Sequence, residues 1–233
     1  MNMQKMGGIA ALYEAAVYVL GMVFFLLVVD YPSVVDPVEK VALLVDNQAI
    51  IYIMYLLLYV GSGIFLVVLA LALYERLKAG SPAIMQIATA IGLIWACVVI
   101  ASGYVYNMGI DTVVDLYGTD PAQAVTVWLA IESVAHGLGG VRGEILGGIW
   151  VLLASWAALR AGGLPRVLNY LGVVIGVAGI LSAVPALSEL GLGIIFALGQ
   201  IVWFIWLGIV MLRSSPSAAL EEPDAFVPRH KTT

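Results

Sequence analysis

Pro121 to Ala161 reads PAQAVTVWLAIESVAHGLGGVRGEILGGIWVLLASWAALRA, and the way this stretch divides decides the fold. Asp120-Pro121-Ala122-Gln123 is a helix start, with a side-chain acceptor ahead of a first-turn proline. No proline interrupts the helical pattern up to Ala161, so its 41 residues would make a rod of ~62 Å at 1.5 Å per residue, twice the hydrocarbon thickness of a bilayer. The rod must break, project or fold back, and Gly137, Gly139, Gly140 and Gly143 form the expected hinge. Residues 121–139 are therefore expected to form an interfacial or re-entrant helix on the outer side, followed by a membrane span over 142–161.

Outward from this stretch, the composition points to lipid as the solvent. Of 233 residues, 63% are apolar and 11% charged, with a mean hydropathy of +1.06. An ordinary soluble domain has about 45–50% apolar and 25% charged residues, and could not bury so much apolar surface. Six runs are long enough to cross a bilayer: about 8–29, 48–74, 83–106, 142–161, 166–187 and 191–212. Ser81-Pro82 and Pro165 mark the starts of the third and fifth. The first run is too long for a secretory signal, and Asp30-Tyr31-Pro32 is no small-residue cleavage site, so an uncleaved span is expected. Residues 1–213 thus form one expected domain, an all-α polytopic membrane helix bundle with six transmembrane helices and short interfacial helices on the outer side. Residues 214–233, rich in Ser, Pro and acids, read as a disordered cytoplasmic tail.

Charge sets the expected orientation. With both termini in the cytoplasm, Lys5, Arg76, Lys78, Arg160, Arg166 and Arg213 lie inside and only Lys40 and Arg142 outside. A seventh span at 122–139 would carry Arg160, Arg166 and Arg213 outward and reverse this bias. On the outer side, Asp36-Pro37-Val38-Glu39 is a second helix start, followed by Val38, Val41, Ala42 and Val45 at helical spacing. The net charge of −5 and the lack of a basic run exclude nucleic acid as a partner. The single cysteine, Cys97, excludes a disulfide framework within one chain.

Gly163-Leu164-Pro165-Arg166-Val167-Leu168-Asn169-Tyr170-Leu171-Gly172, followed by Gly176 and Gly179, resembles the fifth-span entrance of a prokaryotic family of short six-span membrane proteins known as a domain of unknown function. Gly8 to Tyr13 and Gly143 to Trp150 resemble it too, so the likeness covers about residues 7–212. The resemblance implies six spans and a plasma-membrane address. Its motifs are mostly packing glycines and apolar positions, and it implies no reaction, ligand or catalytic residue.

The candidate chemistry therefore comes from this chain alone. Phosphate-loop, zinc-pair, nucleophile-elbow and dinucleotide signatures are absent, which weighs against an enzyme, and no cofactor or metal site is expected. His136 is the one histidine near the membrane, which rules out bis-histidine haem ligation within one chain. Glu132 and His136, four apart, share a helix face and could bind a headgroup or relay protons. Arg142 and Glu144 join them only if the helix breaks at the glycines; otherwise all four are a solvated patch. Glu14 sits about a turn inside the first span, where a bare charge is costly, so it must be protonated, face a cavity or pair. Gln86, Arg166, Asn169 and Tyr170 are expected at similar depth.

Tyr52, Tyr55 and Tyr59 recur at helical spacing and, with Tyr104, Tyr106 and Asn107, either line a pocket beside His136 or anchor the interface. Gly139-x-x-x-Gly143-x-x-x-Gly147 and Gly172-x-x-x-Gly176 permit close helix packing, within the chain or between subunits. The leading expectation is a protein of the bilayer that binds or moves a small amphipathic or lipid-like molecule, with or without a proton, at an outer polar cleft. The alternatives are an accessory subunit docked to other membrane subunits or to its own copies, and a membrane-embedded enzyme using Glu132, His136 and Glu144.

Overall fold

The computed structural model describes residues 2–139 and 144–213, apart from the side chains of Ser188 and Glu189. Arg142, half of the glycine hinge and the expected tail lie outside the described residues. The order is α1 (Met3–Val23), α2 (Pro37–Asp46), α3 (Gln48–Tyr55), α4 (Ser62–Leu77), α5 (Pro82–Tyr117), α6 (Pro121–Gly139), α7 (Ile145–Ala161), α8 (Arg166–Ser182) and α9 (Leu192–Arg213). Two π-helical segments, Phe24–Val28 and Leu56–Gly61, extend α1 and join α3 to α4. Short 3-10 turns occupy Tyr31–Ser33 and Pro185–Leu190, and no strand occurs among the described residues.

Met3–Val28, Gln48–Leu77, Pro82–Tyr117 and Leu192–Arg213 are long and apolar enough to cross a membrane, while α7 and α8 are apolar helices of 17 residues each. Large apolar side chains such as Val167, Val174, Ile194 and Val202 stay more than half exposed on the outside of the bundle. Water would penalise that surface and hydrocarbon does not. The molecule is an all-helical membrane protein.

Six helices close into a ring in the order α1, α4, α5, α7, α8, α9, with α9 returning to α1. Close approach explains the closure. A Cβ on Gly148 would lie 2.7 Å from the Gly176 carbonyl oxygen, and one on Gly176 would lie 2.7 Å from that of Gly148. Gly8 and Gly208 stand in the same reciprocal relation across α1 and α9, at 3.1 and 2.9 Å. Without a hydrophobic drive between helices in lipid, such contact supplies the dispersion energy that holds them together. The x-x-x-spaced glycines Gly147, Gly172 and Gly176 pack inside this chain, against Trp95, Trp203 and Gly148 respectively. Trp95, Trp150 and Trp203 pack in a row in the core of the ring, tilted at 5.7 Å and edge-on at 5.9 Å between rings.

At one end of the ring lie the start of α1 and the end of α9, joined by Gln4 donating to the Met211 carbonyl oxygen, together with Arg76, which donates to the Gly163 carbonyl oxygen, and the α7–α8 turn. That turn is tight because Gly162 adopts φ +69, closing α7 before Pro165 opens α8. At the other end α3 and α5 overshoot. The 36 residues of α5 span ~54 Å against ~26 Å for α7. Onto this overhang fold α2 and α6, burying Val41, Leu44, Ala124, Trp128 and Ala135 with Tyr55, Tyr106 and Ile110 in a second core.

Boundaries differ from the sequence reading for identifiable reasons. The third helix runs to Tyr117 rather than 106, since nothing before Gly118 breaks it and α6 packs along its far half. The fifth stops at Ser182 rather than 187, because Pro185 holds Val184 extended, at φ −84 and ψ 115. The Asp36 carboxylate caps α2 by accepting from the Val38 N–H at 2.7 Å, and Asp120 accepts from that of Gln123 at 3.0 Å. Ser81 does not cap α5; its hydroxyl points across to the Ala157 carbonyl oxygen at 3.4 Å.

Candidate functional site

Two π-helical segments border a cavity of about 260 Å³ where the ring meets the overhang. A π turn inserts a residue into the i to i−4 ladder, displaces the side chains beyond it and is common at functional sites. Phe25 comes from the first segment, Leu58 and Tyr59 from the second, and Ser62 follows directly. The Tyr13 hydroxyl donates to the Leu57 carbonyl oxygen at 2.9 Å inside the second segment, and its ring stacks on Phe65 at 3.9 Å. These contacts hold α1 against α4 along one wall.

Into this cavity project Glu14 and Tyr18 from α1, Tyr59 and Ser62 from the second wall, Trp95 from α5, and Glu144 just before α7. Glu14 is 3% exposed, and its Oε1 has no hydrogen-bond partner. Ser62 stands beside it, its hydroxyl the side-chain group placed to donate to the carboxyl. Glu144 is half-buried and uses its backbone rather than its carboxyl to tie α7 to α8, its N–H donating to the Ser182 hydroxyl at 3.4 Å. The rest of the lining is apolar, from Val17 to Val99. A buried carboxyl without compensation is among the most expensive groups in a fold, so Glu14, with the half-buried Glu144 on the same cavity, marks it as a place for a ligand or a proton.

A second depression, of about 320 Å³, lies on α6 and is lined by Leu129, Glu132, Ser133, His136 and Gly137. Glu132 and His136 share this face. Glu132 Oε1 accepts from the Tyr31 hydroxyl at 2.8 Å, and the same hydroxyl oxygen accepts from Trp128 Nε1 at 3.3 Å. Lys40 Nζ stands 4.9 Å over the Tyr31 ring. Asp30, at φ 49, makes the left-handed turn that folds Tyr31 back onto α6. Burial pushes the Tyr31 hydroxyl well above the ordinary phenol range, and the neighbouring Glu132 carboxylate adds to that shift.

The four polar residues on either side of the glycines therefore separate. Glu132 and His136 stay on α6, Glu144 enters the ring cavity, and Arg142 lies outside the described residues. The tyrosines separate too. Tyr55 stacks on Tyr106 at 4.3 Å, Tyr59 packs against Tyr106 at 5.4 Å, and Tyr106 meets the His136 ring edge-on at 6.1 Å. Tyr52 lines neither cavity and is 36% exposed, because the buried stripe of α3 runs through Ile51, Met54 and Tyr55. Tyr104 is exposed and Asn107 buried.

None of the residues expected near Glu14 lines its cavity. The Asn169 amide instead donates to the Leu164 carbonyl oxygen at 3.3 Å, and Tyr170 is exposed. Tyr18, Ser62 and Trp95 are the functional candidates that sequence reasoning missed. Tyr18 carried a signal, four residues after Glu14 and so on its face; Ser62 and Trp95 carried none.

A closed ring of apolar helices around a largely apolar cavity that holds two carboxyls, capped at one end, defines a polytopic helical membrane protein. Residues 13–210 match the model of the domain of unknown function DUF4386, and the chain belongs to that family. No curated protein and no solved structure matches it.

Proposed function

We propose that this protein binds a small amphipathic molecule inside the membrane, in the ring cavity between α1, α4, α5 and the start of α7. The observation that carries this reading is Glu14, a carboxyl almost wholly removed from solvent, with an unpartnered oxygen, at an otherwise largely apolar cavity. A site of this kind recognises a ligand by one polar end and holds its apolar body by contact. The α6 depression at Glu132 and His136 is the surface through which a ligand or proton approaches from the capped side.

In this reading the chain crosses the plasma membrane six times. Lys5, Arg76, Lys78, Arg160, Arg166 and Arg213 all sit at or just beyond the ends of helices that meet near the start of α1 and the end of α9, which favours a cytoplasmic position for that end and an outer position for α2 and α6. The 17 residues of α7 and α8 reach ~26 Å, and flanking Arg160 and Arg166 let such helices serve a ~30 Å hydrocarbon layer by reaching to the headgroups.

Native mass spectrometry of the protein released from lipid nanodiscs tests the reading. The wild type should retain a small molecule that Val17→Trp, which fills the cavity from α1, no longer holds. Equal retention by a monodisperse Val17→Trp protein, or bare protein in both cases, would overturn it.

A further inference from the structure

The ring cavity has a marked charge asymmetry. Its lining among the described residues carries two carboxyl groups, Glu14 and Glu144, and no lysine, arginine or histidine. The two approach from opposite walls, one on α1 and one at the α7 start, with the Tyr18 and Tyr59 rings, Phe25 and Trp95 around them. Acidic groups alone make no site. Here, however, Glu14 is 3% exposed with Oε1 unpartnered, and the hydroxyl beside it at that depth is that of Ser62, 5% exposed. An unfilled carboxyl oxygen at that depth costs free energy, and a bound group able to donate to it or to neutralise the carboxylate would offset that cost.

We infer that the ligand is a small organic cation, an amine or quaternary ammonium group on an apolar body, seated between the Glu14 and Glu144 carboxyls with its charge against the surrounding aromatic rings. The inference rests on the cavity reading above and adds the chemical class. Aromatic faces attract a desolvated cation, and tryptophan does so most strongly. Two carboxylates repel an anion and leave a neutral hydrocarbon with no polar reward. At about 260 Å³ the space falls just below the ~300–1,000 Å³ of drug-sized sites, so the body is small, of the order of one ring.

The test uses three probes of one shape: benzyltrimethylammonium, its uncharged isostere neopentylbenzene, and the anion benzylsulfonate. Each is measured against the full-length protein in nanodiscs, the first as a radiolabelled ligand and the others as its competitors. The expected result is that the cation binds at least tenfold more tightly than the isostere, with benzylsulfonate weakest. Glu14→Gln, nearly the same size, should remove most of that preference, and Glu144→Gln should reduce it independently, so that one variant failing to fold leaves the other to decide. Equal binding of cation and isostere, or a preference intact in both variants, would overturn the inference while leaving the cavity reading in place. If no probe binds and native mass spectrometry also finds the protein bare, both fall.

Discussion

The ring and its cap solve the same packing problem with different chemistry. In the ring, helices meet backbone to backbone at Gly148 and Gly176 and at Gly8 and Gly208, around a core of tryptophans, phenylalanines and aliphatic side chains. In the cap, aromatic side chains bridge the elements, with hydroxyl and indole groups engaged: Tyr31 to Glu132, Trp128 to Tyr31, and Lys40 over the Tyr31 ring. The ring faces hydrocarbon, where small residues give the closest contact and polar groups are a cost. The cap has polar helix surfaces, such as Glu39 and Lys40 on α2, and uses hydrogen bonds that a wet surface can exchange. The candidate site lies at the boundary, where the glycine-packed helices give way to the tyrosine-bridged ones.

If that contrast holds, substitutions should have effects of different size and reach in the two regions. The largest belongs to the ring. Gly148→Leu would drive a side chain into the Gly176 carbonyl oxygen and the Ile180 backbone, parting α7 from α8, and should abolish a monodisperse protein on size-exclusion chromatography. Gly137→Leu on α6, where a Cβ would meet nothing within 4 Å, should leave the profile unchanged. Similar losses from both would erase the distinction between the regions.

A smaller and local effect is expected in the cap. Tyr31→Phe removes the donor to Glu132 and leaves the Nε1 of the fully buried Trp128 without its acceptor. A cost of about 2 kcal/mol follows, seen as faster hydrogen exchange in α6 and α2 with the ring amides unaffected. The wild-type cap should also loosen in alkali. Tyr31 holds its proton more tightly folded than unfolded, so its contribution is complete below its ordinary value of 10.0 and declines as the pH climbs above it. In Tyr31→Phe that part of the alkaline loss should disappear. Smallest of all, Asp36→Ala takes the cap from α2 and should cost about 1 kcal/mol in unfolding free energy, confined to the exchange of α2.

Much of the architecture was legible because the bilayer is a demanding solvent. A helix that must satisfy its own backbone in hydrocarbon needs a long apolar run, and such runs are visible in Gly8 to Val29 or Gly191 to Leu212 without any knowledge of neighbours. Helix starts at Asp36-Pro37 and Asp120-Pro121 were equally visible, since a cap is chemistry between residues two or three apart. For the same reason Glu132 and His136 could be placed on one face. Tyr31, the hydrogen-bond partner of Glu132, could not be found this way, because 101 residues separate them and only the left-handed turn at Asp30 brings them together.

The amino-acid order by itself determined the helical class, the approximate extent of each apolar helix, the caps of α2 and α6, and the glycines able to sit at a helix contact. These are local properties, set by side-chain type and by a period of 3.6 residues. Tertiary structure decided which glycines met, how far α5 would overshoot, and that Glu144 would leave the α6 histidine to join Glu14. A residue's azimuth around a helix and its depth in a bundle follow from packing and from π turns that rotate every side chain beyond them. Two carboxyls 130 positions apart in the chain therefore reach one cavity only when all the intervening helices have settled.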